Sequence, residues 1–375
     1  MASAPIKILF AIPELDRGGP DRVMFEVLSA LDRTRFAPAL VVSEPTGYYL
    51  SRLPGDVTVE VLGGGRGLRD RYPVLAALRV IRRLKPDVVF ATQRMILTLG
   101  VASLAFPRAT RLIVRQANDV TADFAALIEQ SMVKHRLSRM VSLASFRRAD
   151  AIVCQSTAMQ NDLGKLLGQR SKLHVISNPI DVDVVSRVGA PHSPLPGRPA
   201  LVSVGRLSAQ KGFDLLLPAI AEARTRHPDL HLTILGDGPD RAALEALSRQ
   251  LGLERSVTFA GFVADPLASV RAADLFVLAS RYEGFPNAAL EALACGTPIV
   301  LTDCPGANSE IVLPGTNGRL AAKAEPGAFA QALDLALREL AAYDRTAIQA
   351  DCRQRFSSQR IVHAYEHMIT TVVHA

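Results

Sequence analysis

The chain contains no tryptophan, and aromatic residues fill only 5% of its 375 positions. That argues against a carbohydrate-binding module built on exposed aromatic platforms. Cysteine is scarce as well. The four thiols, Cys154, Cys295, Cys304 and Cys352, lie far apart with no C-x-x-C pair, which excludes a disulfide framework and a zinc site of the usual spacing. No uncharged apolar run reaches 18 residues, and the apolar stretch after Lys7 is too short for the core of a signal peptide. These absences predict a cytoplasmic protein with no membrane span; a peripheral place on the inner face of a membrane is the further expectation.

What is present points to a globular chain: 49% of residues are hydrophobic and 21% charged, over a length that suits two domains. Charge is unevenly spread. Residues 1–190 hold 26 Lys+Arg against 17 Asp+Glu, a balance of +9, whereas the other 185 hold 17 against 19. The first half therefore has a reason to meet something anionic.

Short Val/Ile/Leu-rich runs alternate with helical patterns throughout, the signature of parallel sheets covered by helices on both faces. In the first half, strands are expected at 6–13, 38–43, 57–62, 87–92, 111–115, 151–155 and 173–177, with helices near 21–31, 72–84, 96–105, 123–147 and 157–167. The Pro/Gly-rich segment 186–200 reads as an interdomain linker. A second series follows, with strands at 200–205, 230–236, 257–260, 274–279, 297–302 and about 318–321. Its helices are expected at 212–226, 239–252, 266–273, 287–295 and 325–342, and a last one at 355–373. Two such domains in tandem usually hold a ligand at the C-terminal ends of their strands.

Segment 275–303 carries the clearest chemistry. A buried strand runs into a loop with Gly284 and Pro286, then into a helix that Asn287 is placed to cap and Gly296 to end. Free backbone N–H groups at such a helix start suit a phosphate. Glu291 lies one turn beyond Asn287, and Glu283 stands in the loop at the mouth; carboxylates do not bind phosphate, but they accept hydrogen bonds from hydroxyls. An ordinary turn with a solvated Glu at each end is the plain alternative. In segment 203–217, Arg206 just past a strand and Lys211 at the next helix start would project at the same edge, and together they could neutralise a diphosphate. Alone, that pair would read as two solvated cations.

The string E-G-F-P-N-A-A-L-E at 283–291 resembles the E-x7-E motif of family-4 retaining glycosyltransferases. The likeness extends to G-R-L-x-x-x-K-G at 205–212, I-L-G-D-G-P at 234–239, F-A-G-F-V at 259–263, A-C-G-T-P-I-V at 294–300 and S-N-P-I-D at 177–181. G-G-x-x-R-V at 18–23 resembles that family's glycine loop. The resemblance implies a GT-B fold: an α/β protein of two Rossmann-like domains facing across a cleft, with an acceptor-binding domain at 1–188 and a donor domain at 198–354. The final helix, 355–373, would return to the first domain, with R-F-S at 355–357 and Tyr365 in that segment. It further implies that Arg206 and Lys211 bind a donor diphosphate, that Glu291 holds ribose hydroxyls and that Glu283 lies against the transferred sugar. Backbone groups of Gly284, Phe285 and Asn287 would line sugar and phosphate, Val263 would flank the base, and Gly18 with Gly19 would approach the phosphate from the other domain.

A double displacement would need a carboxylate nucleophile, and no residue is marked for that role. Front-face departure and attack is therefore expected, with the leaving phosphate taking the acceptor proton. Many relatives carry a His in the cleft where RLIVRQANDV at 111–120 offers Gln116, Asn118 and Asp119. Gln116 and Asn118 are candidates to bind an acceptor hydroxyl, with a loop that merely satisfies its own backbone as the equal alternative. Asp181-Val-Asp183 spells a D-x-D but falls at the domain joint, so no metal and no other cofactor is expected beyond a nucleotide-sugar co-substrate, UDP favoured over GDP. Gly236-x-Gly238 is followed by Arg241 and fails the dinucleotide fingerprint.

Segments 66–85 and 127–148 mix cations with apolar residues and could rest on an anionic membrane surface, which would suit a lipid-linked or glycan acceptor; a solvated cationic face is the alternative. Nucleic acid is a poor partner, since no recognition motif accompanies the charge. The rival readings are an epimerase or sugar phosphorylase on the same fold, or a non-catalytic nucleotide-sugar-binding subunit.

Overall fold

The computed structural model describes residues 4–16, 18–63, 73–117, 120–121, 132–186, 189 and 194–375. They form two compact units, one of residues 1–179 with 358–375 and the other of residues 180–357.

In the first unit the strands are β1 (Ile6–Ile12), β2 (Phe36–Val42), β3 (Thr58–Val61), β4 (Val88–Thr92), β5 (Arg111–Arg115), β6 (Ala151–Cys154) and β7 (Leu173–Val175). They make one parallel sheet in the order β3-β2-β1-β4-β5-β6-β7, so the chain reverses its direction of winding between β1 and β4. The helices are α1 (Gly19–Ala30), α2 (Val74–Leu84), α3 (Met95–Ala102), α4 (Met132–Arg148) and α5 (Thr157–Leu167). Successive side chains of a strand point to opposite faces, so β1 feeds two cores at once. Ile8, Phe10 and Ile12 pack with Val23, Met24 and Val27 of α1, while Leu9 and Ala11 pack with Ile81 of α2 and Leu99 of α3. Each fully buried side chain of this size contributes roughly 1.5–3 kcal/mol. Ser156 caps α5, its hydroxyl accepting from the N–H of Met159 at 3.1 Å.

The second unit begins with α6 (Val182–Ser186) and contains β8 (Ala200–Val204), α7 (Phe213–Arg224), β9 (His231–Leu235), α8 (Arg241–Gln250), β10 (Val257–Gly261), α9 (Leu267–Ala272) and β11 (Leu275–Leu278). After these come α10 (Asn287–Ala294), β12 (Ile299–Thr302), α11 (Asn308–Ile311), β13 (Gly318–Ala321), α12 (Pro326–Arg338) and α13 (Arg345–Phe356). Its parallel sheet runs β10-β9-β8-β11-β12-β13, with the reversal between β8 and β11. Leu275 and Val277 of β11 face the core under α7 and α12; Phe276 and Leu278 face the one under α10 and α13.

Several elements differ from the sequence expectation. The change of unit falls at Pro179–Ile180, ahead of the Pro/Gly-rich 186–200 segment, because Ile180, Val182 and Val185 bury in the second unit's core. Of the presumed linker, residues 187–188 and 190–193 lie outside the described residues. The helix expected at 355–373 is divided at Ser357, whose φ of −55° and ψ of 141° leave the helical region. Ser357 pairs there with Ile180, and Ile180 N–H donates to the Phe356 carbonyl at 2.9 Å. Helix α13, closed at its start by the Asp344 carboxylate, was not anticipated and belongs to the second unit. After the break α14 (Ser358–His374) returns to the first unit, where Tyr365 and Ile369 pack into the core beside α1.

Candidate active site

In open α/β sheets ligands collect at the strand C-termini where the winding reverses. At the β8–β11 reversal of the second unit, two loops meet. One follows β8 and carries Arg206 and Lys211; the other follows β11, spans 279–286 and leads into α10. The loops interlock closely. Gly212 has φ +62°, and a Cβ there would lie 2.0 Å from the Ala279 carbonyl oxygen, so only glycine fits. Arg281 grips Asp214 with both Nη atoms, at 2.8 and 2.6 Å, and its N–H donates to the Gln210 carbonyl. That pairing holds the Asp214 carboxyl below its usual range and raises the Arg281 guanidinium.

Glu283 sits inside this joint. It is 4% exposed, so the plain alternative of a solvated Glu at the mouth does not hold for it. Its Oε1 accepts from Lys211 Nζ at 2.6 Å and from Ser280 Oγ at 2.6 Å. Ser280 is fully buried, and its own carbonyl accepts from Thr302 Oγ1. Glu283 N–H donates to the Pro305 carbonyl at 2.9 Å, and Gly306 packs so tightly on the Glu283 carbonyl that no side chain could stand there. The carboxylate is thus fixed from both sides. A buried charge is tolerable when paired and hydrogen-bonded, and Lys211 with Ser280 meets that condition. Burial pushes the neighbouring Cys304 thiol up to about 12, which leaves it inert.

Arg206 is exposed and makes no side-chain hydrogen bond among the described residues. Its loop is supported from below by Gly236, whose missing side chain lets the turn after β9 lie against the Gly205 carbonyl. The G-x-G of 236–238 therefore serves packing. Gly284 and Phe285 are buried, and the Phe285 ring meets Phe356 edge-on at 5.7 Å, so its side chain belongs to the core and only its backbone faces the loop. The cap of α10 is Pro286; Asn287 is its first helical residue and does not cap it, which corrects the sequence expectation. Glu291 is half-buried one turn along α10, and Val263 packs at the edge of the core after β10.

At the β1–β4 reversal of the first unit, Gly18 is the exposed cap of α1 and Gly19 its first residue. Two residues on, Asp21 is 5% exposed, and its Oδ1 accepts from Gln93 Nε2 at 2.6 Å. Burial, reinforced by Glu14 and Asp16, pushes the Asp21 carboxyl up to about 6. Gln116 stands just past β5, half-buried; Asn118 and Asp119 lie outside the described residues. Sequence reasoning passed over Ser280, Asp21 and Gln93. Gln93 and Asp21 lie 72 residues apart, which leaves no spacing to read, and Ser280, three residues before Glu283, reads as an ordinary loop serine. Asp183 of the D-x-D pairs with Arg353 at 2.6 Å, and among the described residues no cluster of His, Cys, Asp or Glu could hold a metal ion.

Two family models match the chain: Glycosyltransferase Family 4 over residues 17–184 and Glycosyl transferases group 1 over residues 198–339. Among curated proteins, the chain is 31% identical over 324 residues to the lipopolysaccharide core biosynthesis glycosyltransferase LpsE of Rhizobium meliloti, covering 83% of this chain and 89% of that one. Among solved structures, it resembles Anabaena HepE in complex with UDP, with a TM-score of 0.78, 23% identity and coverage of 98% and 100%. It also resembles the sucrose-phosphate synthase of Thermosynechococcus elongatus, with a TM-score of 0.81, 18% identity and coverage of 98% and 99%. These likenesses identify the fold as GT-B, two parallel-sheet α/β domains.

Proposed function

Since the chain belongs to the GT4-like, group-1 glycosyltransferases, we propose that it moves a hexose or N-acetylhexosamine from a UDP-sugar to a glycan or lipid-linked acceptor. The setting would be envelope or polysaccharide synthesis, with anomeric configuration retained and no metal required. The observation that carries this reading is the Lys211–Glu283–Ser280 cluster beside the unpaired Arg206 at the β8–β11 reversal.

In the proposed reaction the bond from the anomeric carbon to the β-phosphate oxygen breaks, and the acceptor oxygen bonds to that carbon on the same face. The acceptor proton passes to the departing phosphate, leaving a glycoside and UDP. Arg206 and Lys211 stabilise the charge that grows on the leaving diphosphate; these two cations supply what a metal would otherwise bring. Glu283, already joined to Lys211 through Oε1, holds the donor sugar and is not a nucleophile. Glu291 takes the ribose hydroxyls, and the backbone of Gly284, Phe285 and Asn287 lines the α10 start. The choice of uridine draws support from HepE, which was solved with UDP and with UDP-glucose.

The first unit would rest on an anionic bilayer through its basic helices. No helix among the described residues is long and apolar enough to cross a membrane. Exposed Leu75, Arg79 and Arg82 on α2, and Arg136, Arg139 and Met140 on α4, suit a headgroup surface, at roughly 1 kcal/mol per cation. Titration of the protein with UDP, GDP and ADP in EDTA tests the donor reading. Saturable binding of UDP alone is expected; binding of none of them would overturn it.

A further inference from the structure

The two sheets have the same topology around their reversal points, and in the second unit that point holds the cluster just described. The corresponding point of the first unit, between β1 and β4, holds a buried acid for which neither the motif nor the proposed donor chemistry has a use. We infer that Asp21 and Gln93 form a hydroxyl-binding subsite for the sugar acceptor, the carboxylate accepting and the amide orienting. The assignment rests on the glycosyltransferase reading and gives its acceptor side a location.

The residues make a poor structural device and a good binding one. Asp21 needs no counter-charge to hold the fold, because its hydrogen-bond partner among the described residues is an amide. An asparagine could accept the same bond without burying a charge. Burial raises this carboxyl, as expected of an acid with no cation paired to it among the described residues, so the ionised form is disfavoured by the fold itself. A carboxylate, however, is a far better acceptor for sugar hydroxyls than an amide oxygen. Gln93 adds to the cost. Its φ is +54°, left-handed for a residue with a side chain, and such backbone strain persists only where the surroundings impose it.

Gly18 is exposed, and a Cβ there would lie 2.8 Å from Asp21 Oδ2, so any side chain at 18 would cover that oxygen. Arg94, next to Gln93, has its Nε buried without a hydrogen-bond partner among the described residues. Carboxylate and amide therefore meet between the loop after β4 and the first turn of α1. This combination matches adjacent hydroxyls of a pyranose, which present donors and acceptors in alternation.

The test uses the full chain saturated with UDP, so that the donor site is filled, titrated with methyl α- and β-glycosides of glucose, galactose, mannose and N-acetylglucosamine. The wild-type protein should bind at least one of them saturably. Asp21→Asn and Gln93→Ala should each weaken that binding tenfold or more. Asp21→Asn should also melt no lower than wild type at pH 8. Unchanged glycoside binding in both variants, no binding of any glycoside to the wild type, or a lowered melting point for Asp21→Asn would each overturn the inference. Failure of the donor reading shows separately, as absent UDP binding.

Discussion

The two reversal points offer opposite chemistry on the same scaffold. In the second unit a buried carboxylate is matched by a lysine at 2.6 Å, with an arginine beside it left open. In the first unit a buried carboxylate is matched by an amide, with no cation paired to it among the described residues. The overall charge would suggest the reverse, since the basic excess lies in residues 1–190. Net charge of a domain thus describes its surface and long-range field, while the character of a site is set by which few groups meet at the strand ends. Paired cations at a strand-end loop suit a diphosphate; an acid held by an amide suits hydroxyls.

The sharpest way to break this contrast is Lys211→Ala. Turnover should fall roughly 100- to 1000-fold, as for removal of a group that stabilises transition-state charge. The fold should suffer too, because Glu283 would be left buried without its cation, at a cost of about 1–3 kcal/mol. The double variant Lys211→Ala, Glu283→Gln separates the two effects: thermal melts should recover toward wild type while turnover stays low. A single variant that keeps near-normal turnover would remove Lys211 from the reaction. Ser280→Ala comes next, with an expected loss of about tenfold in kcat/KM and about 1 kcal/mol in stability from one missing hydrogen bond to a charged group.

Asp21 should behave in the opposite sense. Its carboxyl sits at about 6 in the folded protein against 3.8 as the ordinary value. A raised carboxylate favours the protonated form, so the folded state binds the proton more tightly than the unfolded chain. Stability is then highest below the ordinary value and declines as pH rises toward 6. Asp21→Asn removes that decline. Chemical denaturation of the two proteins should agree near pH 3.8 and diverge above it, the variant gaining on the order of 1–3 kcal/mol by pH 7. A variant that is less stable at pH 7 would mean the charge is compensated in a way the amide is not.

How much of this was legible beforehand follows from what a sequence can express. The βαβ alternation, the strands at 111–115 and 200–205 and the loop–helix at 283–291 are local patterns, and they emerged near their places. Motif spacing brought Arg206, Lys211, Glu283 and Glu291 into view. The contacts that give them their geometry did not emerge, because Ser280 acts on Glu283 through a bent loop and Gln93 reaches Asp21 across 72 residues. The break at Ser357 was hidden for a related reason: arginine, phenylalanine and serine continue a helical pattern, and only pairing with Ile180 pulls the backbone out of it.

The smallest effect should come from Arg281→Lys. The guanidinium grips Asp214 with two bonds, a geometry that an ammonium cannot reproduce. Yet both side chains are largely solvated, 37% and 46% exposed, and exposed pairs are worth about 0.2–1 kcal/mol. The pair's role is to lace the β8 loop to the β11 loop, so its loss should be felt where those loops must hold Lys211 against Glu283. A stability change under about 1 kcal/mol is expected, accompanied by a rise in donor KM and little change in kcat. Steady-state kinetics beside a urea melt would check both. A large drop in kcat would instead add Arg281 to the groups proposed to stabilise the leaving diphosphate, and the second unit's site would then have three cations to set against the buried acid of the first.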